Sequence, residues 1–313
     1  MKPIILIKHD APHIVDELSR DFDVLEFDLA AGKPGAQALQ AARVLITSGF
    51  RGAFPDELAA LPNLGLICTV GTGYEKVDLA AARARGIAVV HAAGINAGVV
   101  ADHAFALLLA CLRNIPAYHA SAAAGRWREG LSPRPMAAGK KLGLIGMGGI
   151  GKAIARRAEA FDMPVSYMAR SRKDGLPWTY FTDAEAMARE VDILIAAVPG
   201  GSETFHMIDR RVLRALGPQG FVINVGRGTV VATDDLVAAL NAGEIAGAGI
   251  DVFETEPDIP PALRSAPNIV LTPHVAGTAP ETRRMGAALM RRNIEAFLAG
   301  RPLETPVPEM AGE

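Results

Sequence analysis

The chain has 313 residues, half of them hydrophobic and 21% charged, with a formal net charge of -2. This composition is typical of a globular protein and excludes a disordered or collagen-like chain. The balanced charge offers no general attraction for a nucleic-acid backbone or an anionic membrane, so we expect neither partner. The two cysteines, Cys68 and Cys111, exclude a disulfide framework and disfavour a cysteine-based zinc site.

The N-terminal segment carries no recognisable targeting signal. Its apolar run before Lys8 is too short for a signal peptide. The longest apolar stretch, 99–112, is interrupted by Asp102 and His103 and is not expected to cross a bilayer. We therefore expect a cytoplasmic protein in a reducing compartment.

Short β-branched runs alternate with helical patterns in two successive series. The first series has predicted strands at 4–7, 44–47, 64–70 and 88–91, and predicted helices at 14–20, 55–61 and 77–85. Two further helices are predicted at 99–113 and 115–125. Strand–helix alternation at this spacing predicts a parallel sheet that is covered on both faces.

A second series begins after residues 129–140, whose Pro and Gly without a helical period predict a loop. Its predicted strands are 141–146, 164–169, 191–198, 221–225, 246–252 and 269–272. Its predicted helices are 150–161, 183–189, 209–216 and 233–242, and a last helix is predicted at 279–298. The two series together predict an α/β protein with two doubly wound, Rossmann/flavodoxin-like domains and a ligand-binding cleft between them.

A glycine-rich turn marks the first strand of the second series. Strand 141–146 runs into Gly146-Met147-Gly148-Gly149-Ile150-Gly151 and then a helix, which is the G-x-G-x-x-G pattern in its strand–turn–helix setting. Gly146 permits the tight turn, Gly148 lets the backbone approach a pyrophosphate, and Gly151 lets the helix pack closely. The helix N-terminus offers free N–H groups to phosphate, so we predict dinucleotide binding here.

The next strand bears on the choice of cofactor. Strand 164–169 ends in Ala169-Arg170-Ser171-Arg172-Lys173, with no acid at its tip to bind a ribose 2′-hydroxyl, and Asp174 is expected to lie beyond reach. Guanidinium groups there suit a 2′-phosphate, although a solvated basic loop would have the same sequence. We predict NADPH/NADP as the cofactor, with NADH/NAD as the alternative.

Three later strand ends carry polar residues that apolar packing does not explain. Strand 221–225 leads into Asn224-Val225-Gly226-Arg227-Gly228, and Arg227 is expected beside the nicotinamide. Strand 246–252 contains Asp251 and is followed by Glu254 and Glu256, and strand 269–272 leads into Thr272-Pro273-His274.

With Val70-Gly71-Thr72-Gly73-Tyr74 and residues 92–102, these motifs resemble the D-isomer-specific 2-hydroxyacid dehydrogenases, especially their glyoxylate/hydroxypyruvate reductase branch. The resemblance extends over most of the chain. It implies a substrate-binding domain of residues 1–98 plus 278–313, with an NAD(P)-binding Rossmann domain of residues 99–277 inserted into it. It also implies a homodimer, which we expect to form through the apolar region 99–113.

The resemblance assigns the catalytic roles to Arg227, Glu256 and His274. Reduction of a ketone places negative charge on its oxygen, to which a protonated imidazole can donate. A carboxylate beside the imidazole raises its pKa and orients it, and a guanidinium can bind the substrate carboxylate. Glu254 is expected to be the solvated acid, because the family places its catalytic acid directly before the proline. Glu256 in place of glutamine argues against formate oxidation.

Further contacts are carried over from the family in the same way. The substrate is assigned to Val70, Gly71 and Thr72, whose N–H groups would receive its carboxylate, and to Arg227 and His274. Asn96 is expected near the nicotinamide or the substrate. Trp127 is interpreted as an interface or packing aromatic, or as a residue that closes over a substrate. The residues assigned to the cofactor are Gly146, Gly148, Gly149, Ile150, Gly151, Arg170, Ser171, Arg172, Val198, Pro199, Thr204, Val225, Gly226 and Asp251.

The loop of residues 199–204 departs from the family pattern by its two glycines, so the shape of the adenosine pocket is left open. The expected activity is NADPH-dependent reduction of glyoxylate and hydroxypyruvate to D-2-hydroxy acids. Hydroxyphenylpyruvate and 2-ketogluconate are alternative substrates, and an NAD(P)-sensing, corepressor-like binding protein is the non-enzymatic alternative. We expect no metal, since no His/Asp/Glu cluster has ligand spacing.

Overall fold

Residues 2–8, 11–128 and 130–310 are described by the structure, which is a computed structural model. Its strands are β1 (Ile4–Ile7), β2 (Asp23–Glu26), β3 (Val44–Thr47), β4 (Leu66–Thr69), β5 (Ala88–Val90), β6 (Leu142–Ile145), β7 (Val165–Met168), β8 (Thr179–Phe181), β9 (Ile193–Ala196), β10 (Phe221–Asn224), β11 (Gly247–Ile250) and β12 (Ile269–Leu271). Its α-helices are α1 (Pro12–Leu18), α2 (Ala36–Ala41), α3 (Pro55–Ala59), α4 (Leu79–Ala84), α5 (Ala97–Arg113), α6 (Ile115–Ala123), α7 (Gly149–Ala160), α8 (Ala184–Ala188), α9 (Arg210–Leu216), α10 (Thr233–Ala242), α11 (Pro261–Ser265) and α12 (Pro280–Leu298).

The chain divides into two compact units. The first contains the described residues up to Asn96 and from Thr278 onward. Its parallel sheet has the strand order β2-β1-β3-β4-β5. Consecutive residues of β1 point to opposite faces, so Ile5 joins the apolar core beneath α1 and α12 while Leu6 joins the core on the other face. Both faces of the sheet are therefore covered, as the sequence predicts.

The second unit is Ala97–Gly277. Its parallel sheet has the order β12-β11-β10-β9-β6-β7-β8, so the order reverses between β6 and β9. Every residue of β6 is buried, because α5 and α7 cover one face of the sheet and α8, α9 and α10 the other. Since the strands are parallel, their carboxyl ends share one edge, and such an edge is where ligands bind in open α/β sheets. The prediction of two parallel-sheet α/β folds is confirmed.

Helix α5 lies in the core of the second unit rather than on its surface. Val100, Ala104 and Leu108 are buried there among the residues of β6 and β10. The core of the unit thus uses most of the apolar side chains of region 99–113, while Ala106 is exposed and Leu109 is half-buried. That this region forms a dimer surface stays a prediction. In α6, by contrast, no residue is buried.

Several short elements differ from the prediction. Strands β2 and β8 and helices α2 and α11 are missing from it, because edge strands and helices of five or six residues carry too short an apolar period. Several predicted strands also run one or two residues too long at one or both ends, where an apolar run continues past the paired residues. In the predicted loop 129–140, Glu129 lies outside the described residues, and 130–140 contain neither helix nor strand.

Among the helices of residues 2–8, 11–128 and 130–310, no single one is long and apolar enough to cross a bilayer. Helices α5 and α6 together have the length and apolar composition of a membrane span, but they are bent by 65° at the break between them.

Candidate active site

The glycine turn after β6 has the close packing that the sequence predicts. Gly146 has a φ of +104°, and a Cβ there would lie 2.6 Å from the carbonyl oxygen of Ala197. A Cβ on Gly151 would run into the carbonyl oxygen of Gly146. Both positions therefore require glycine, because a side chain would separate α7 from the strand that leads into it.

Gly148 differs from these two glycines, because the space at its Cβ position is open. It lies before the first turn of α7, and no atom is found within 4 Å of the place that a Cβ would occupy. Gly148 and Gly149 are exposed, and the first N–H groups of a helix lack partners within the helix. With Ile150 half-buried behind them, these residues fit a dinucleotide pyrophosphate.

The residues predicted to choose the cofactor follow β7 at the same edge of the sheet. Arg170, Ser171 and Arg172 are all exposed. Two guanidinium groups and a hydroxyl at this edge fit a ribose 2′-phosphate, for which they offer charge and hydrogen-bond donors.

The loop after β9 contains a short 3₁₀ turn, Ser202–Thr204. The Thr204 hydroxyl donates to the carbonyl oxygen of Pro199 at 2.8 Å, and this hydrogen bond joins the two ends of the loop. Gly200 lies against the side chain of Arg227, whose Cγ is 3.4 Å from the position of a Gly200 Cβ. A Cβ at Gly200 would be in ordinary van der Waals contact with Arg227, so this departure from the family pattern is not required by packing. Val198 and Pro199 lead into the loop.

Asn224 fixes the turn that carries Arg227, a role that the sequence analysis missed. Its Oδ1 accepts the N–H of Gly226 at 3.0 Å, and its Nδ2 donates to the carbonyl oxygen of Arg227 at 2.9 Å. The side chain of Val225 is buried in the core, so only its backbone faces this edge. Arg227 Nη1 donates to the carbonyl oxygen of Gly226 at 2.8 Å, which directs the guanidinium along the turn. A buried asparagine at the end of an apolar strand was the available signal.

Glu256 and His274 form a hydrogen-bonded pair. His274 Nδ1 lies 2.8 Å from Glu256 Oε2, and the other carboxylate oxygen accepts the N–H of Phe253 at 2.9 Å. Because a carboxylate only accepts, the His274 proton lies on Nδ1 in the neutral ring. The Nε2 atom is left available, and the His274 side chain is 48% exposed.

Electrostatics favour the charged form of both partners. The hydrogen bond that His274 donates to Glu256 raises the pKa of His274 above its ordinary value, against the opposing effect of burial, and the charges of Glu256 and Asp251 add to the rise. Burial alone would raise the pKa of Glu256, but the contacts with His274 and Phe253 and the charge of Arg227 together lower it. The arrangement can therefore hold an imidazolium that donates from Nε2.

Asp251 lies behind this pair and is fully buried, at 0% exposure. Its Oδ1 accepts the N–H of Val275 at 3.0 Å and the hydroxyl of Thr272 at 2.6 Å. Its Oδ2 accepts the N–H of Ala276 at 3.0 Å. Thr272 in turn contacts His103 of α5, with 2.9 Å between Oγ1 and Nε2. The sequence analysis gave no role to Thr272, which is part of the motif around His274, or to His103, although the polar Asp102-His103 pair within an apolar helix was a visible signal.

Glu254 is engaged elsewhere rather than simply solvated. Its Oε1 accepts from His206 Nε2 at 2.9 Å and from the N–H of Thr233 at 3.2 Å. Glu254 is nevertheless exposed, which agrees with the expectation of a solvated acid, and a second histidine pairs with it. Glu256, not Glu254, contacts His274, as the order of acid and proline predicts.

The predicted substrate loop belongs to the first unit and follows β4. The N–H of Val70 donates to the carbonyl oxygen of Thr47 at 2.9 Å. It is therefore not available to the substrate carboxylate, which we expected it to bind. Thr72 is held from two sides, because Asn96 Nδ2 donates to its hydroxyl at 3.0 Å and His91 Nδ1 to its carbonyl oxygen at 2.9 Å. The predicted N–H donors are thereby reduced to Gly71 and Thr72.

Trp127 follows α6 and is 75% exposed. A packing role inside the chain is therefore wrong, which leaves the interface and the substrate-closing interpretations. As for metals, a search of residues 2–8, 11–128 and 130–310 finds no group of three or more His, Cys, Asp or Glu that could hold an ion.

Comparisons with known proteins agree with the geometry. Residues 105–276 match the family model described as D-isomer specific 2-hydroxyacid dehydrogenase, NAD binding domain. Hydroxyphenylpyruvate reductase of Plectranthus scutellarioides is 39% identical over 298 residues, which cover 94% of this chain and 95% of that protein. Glyoxylate/hydroxypyruvate reductase A HPR2 of Arabidopsis thaliana is 36% identical, with coverage of 94% and 95%.

A solved structure is similar over nearly the whole chain. The NADPH-dependent glyoxylate/hydroxypyruvate reductase of Sinorhizobium meliloti, in complex with NADP and malonate, has a TM-score of 0.90 and 39% identity. The match covers 99% of this chain and 98% of that one. From the family match and these relatives, we conclude that the chain belongs to the D-isomer-specific 2-hydroxyacid dehydrogenases and is an NAD(P)-dependent oxidoreductase acting on a small hydroxy or oxo acid.

Proposed function

We propose that this enzyme uses NADPH to reduce glyoxylate and hydroxypyruvate to 2-hydroxy acids, in the D configuration where the product is chiral. The observation that carries the proposal is the 2.8 Å contact between His274 Nδ1 and Glu256 Oε2, which leaves Nε2 as a proton donor. The relatives that are named glyoxylate/hydroxypyruvate reductases support the choice of substrate.

The proton is supplied by His274. In its imidazolium form the ring donates the Nε2 proton to the carbonyl oxygen as negative charge develops there. Glu256 stays ionised, accepts the Nδ1–H and keeps the ring oriented. Bound NADPH supplies the hydride that adds to the carbonyl carbon, so the carbonyl becomes a secondary or primary alcohol and His274 is left neutral.

Binding of the substrate falls to groups with fixed donors. Arg227 offers a planar fork that can bind a carboxylate and a keto oxygen together, and the turn bonded to Asn224 limits its movement. We also assign Gly71 and Thr72 to the substrate carboxylate, through their backbone N–H groups. Asn96 donates to the side chain of Thr72, and His91 donates to its backbone carbonyl. These two contacts fix the loop, which supports its role in binding the carboxylate.

Preference for NADPH is assigned to Arg170, Ser171 and Arg172. Their exposure after β7 and the lack of an acid at the end of that strand support the assignment. The substrate-binding role of residues 1–98 plus 278–313, and the cofactor-binding role of residues 99–277, belong to the same proposal.

We further propose a cytoplasmic homodimer that binds neither nucleic acid nor membrane. The net charge of -2 supports the latter part. For the dimer, the exposed apolar side chains of Ile115, Trp127, Leu131 and Met136 extend the surface expected at region 99–113. Light scattering should give twice the 32.9 kDa of the chain, and a monomer mass would reject the dimer.

A panel of 2-oxo acids with NADPH or NADH tests the proposed activity. We expect the highest kcat/KM for glyoxylate or hydroxypyruvate with NADPH. A higher value for hydroxyphenylpyruvate or 2-ketogluconate would move the assignment to that substrate. No turnover of any 2-oxo acid with either cofactor would reject the function.

A further inference from the structure

We propose that His103 is a positioning residue for His274, an assignment that rests on the proposed function. Its Nε2–H completes the hydrogen bonds around Thr272 and the buried carboxylate of Asp251, and these bonds hold the turn that presents His274. None of the motifs that identify the active site includes His103, which lies in α5.

The turn after β12 is built on Asp251. The backbone carbonyl of Asp251 accepts the N–H of His274 at 2.8 Å, and its carboxylate accepts the N–H groups of Val275 and Ala276, each at 3.0 Å. His274 itself has a φ of +52°, which is the left-handed region. A residue other than glycine holds this conformation only where its surroundings impose it, and Asp251 supplies that constraint.

The hydroxyl of Thr272 determines which proton His103 must carry. The hydroxyl of Thr272 has one hydrogen. It donates this hydrogen to Asp251 Oδ1, at 2.6 Å, because a carboxylate can only accept. Toward His103 Nε2, at 2.9 Å, the hydroxyl therefore acts as the acceptor. His103 Nε2 also lies 3.4 Å from Asp251 Oδ1. Both contacts require an N–H at Nε2.

Burial makes this donor important. The carboxylate of Asp251 is almost fully removed from water, with 1% of the side chain exposed, while His103 retains 21%. A buried carboxylate is costly unless donors surround it. The other donors to Asp251 come from the turn itself, whereas His103 comes from α5. His103 therefore ties the turn to the core of the unit.

The family resemblance implies a different role for Asp251, which is among the residues assigned to the cofactor: it matches the acid that binds the nicotinamide carboxamide in the family. Loss of a carboxamide contact would weaken NADPH binding. Loss of positioning would instead lower kcat and change the proton affinity of His274, with NADPH binding preserved.

The direction of the pH effect follows from the charges around His274. Glu256 and Asp251 raise the pKa of His274, and Arg227 lowers it. If the turn loosens, the contact with Glu256 weakens and the pKa of His274 falls. Reduction needs the protonated ring, so the alkaline limb of the rate profile should move to lower pH.

The test compares His103→Leu with His103→Gln, whose amide keeps an N–H donor at a similar reach. For glyoxylate reduction by the full-length enzyme, we expect His103→Leu to lower kcat about tenfold or more. The alkaline limb of the pH–rate profile should move to lower pH. The Kd for NADPH, measured by fluorescence, should stay within about twofold of the wild-type value. This change is smaller than the loss of one hydrogen bond to NADPH would cause. His103→Gln should recover most of the wild-type kcat and return the alkaline limb close to its wild-type pH. His119→Leu, which removes an exposed histidine of α6, is the matched control and should change neither.

The proposal would be overturned if His103→Leu, His103→Gln and the wild type had the same kcat and the same alkaline limb in their pH–rate profiles. It would also be overturned if His103→Leu bound NADPH more weakly while its alkaline limb stayed at the wild-type pH. If His103→Leu does not fold, Thr272→Val tests the same link with the same expectations. A second measurement is independent of catalysis. In ¹H–¹⁵N NMR spectra of the wild type, the ring signals that disappear in His103→Gln should report a proton on Nε2. A neutral Nδ1–H ring would overturn the assignment even if no 2-oxo acid were reduced.

Discussion

His274 Nδ1 and Glu256 Oε2 lie 2.8 Å apart, although the two residues follow different strands, β12 and β11. Strand pairing brings them together, since Ile250 of β11 is in register with Leu271 of β12 and each strand ends at the same edge. The second oxygen of Glu256 is bound by the N–H of Phe253, so the carboxylate has little freedom to turn away. The ring of His274 is thereby held with Nε2 available.

The first prediction concerns the proton donor. His274→Ala removes the proton donor of the proposed reaction, and we expect kcat to fall by roughly 10²–10⁴-fold, the usual contribution of a general acid. The Kd for NADPH should stay near the wild-type value, because no phosphate-binding residue is changed. Steady-state kinetics and fluorescence titration measure both quantities, with His119→Ala as the control for loss of an exposed histidine. A kcat close to wild type would remove His274 from the mechanism.

Glu256→Gln should change the pH dependence of reduction. The pKa of His274 in the folded enzyme is raised, mainly by the hydrogen bond that its Nδ1–H donates to Glu256. Reduction is therefore fastest below this pKa and is lost as the pH rises through it. Glutamine keeps an acceptor but removes the charge, so the alkaline limb of kcat/KM should move to lower pH.

The control for this change is Glu254→Gln, which neutralises the neighbouring acid that pairs with His206 instead. We expect its alkaline limb to stay at the wild-type position. Equal movement of the limb in both variants would mean that general charge, rather than the contact with Glu256, sets the proton affinity of His274.

The third prediction concerns the cofactor. Replacing Arg170 and Arg172 together by Ala removes two guanidinium groups that we assign to the 2′-phosphate. The ratio of kcat/KM with NADPH to that with NADH should fall, by roughly 10- to 100-fold for each charge-assisted hydrogen bond lost. Arg156→Ala, at an exposed arginine of α7, is the matched control. An unchanged ratio in the double variant would contradict the assignment.

Two glycines of the same turn should respond differently to alanine. In Gly151→Ala the new Cβ meets the backbone of Gly146, so we expect a loss of about 1–3 kcal/mol in the free energy of unfolding. In Gly148→Ala the Cβ enters open space, so the free energy should change by less than about 0.5 kcal/mol. The Gly148 variant should nevertheless bind NADPH more weakly, since the methyl group occupies the path of the pyrophosphate.

Urea denaturation and NADPH titration separate these two effects. Equal destabilisation by both alanines would show that the turn tolerates no side chain at all. Normal NADPH affinity in Gly148→Ala would show that the pyrophosphate does not approach Gly148.

Much of this site could be predicted from the sequence because its residues lie in local patterns. The glycines of the 146–151 turn have fixed spacing between a strand and a helix, and Arg227, Glu256 and His274 each follow an apolar strand. The roles of Asn224, Thr272 and His103 could not be predicted in this way. Asn224 and Thr272 lie within or beside apolar runs where a single polar residue has no distinctive period, and His103 lies far along the chain from the residue it contacts.

The alternation of apolar strands and helices determined the α/β class by itself, because burial on both faces requires continuous apolar strands. The order of motifs likewise identified the family, and the acid–base roles of Glu256 and His274 that it implies stay a prediction. Only the tertiary structure decided that the N–H of Val70 is used by Thr47, that α5 is part of a core, and that Asp251 holds the turn of His274. These facts depend on which donors and acceptors meet across distant segments, and a one-dimensional pattern does not encode hydrogen-bond partners or burial between elements.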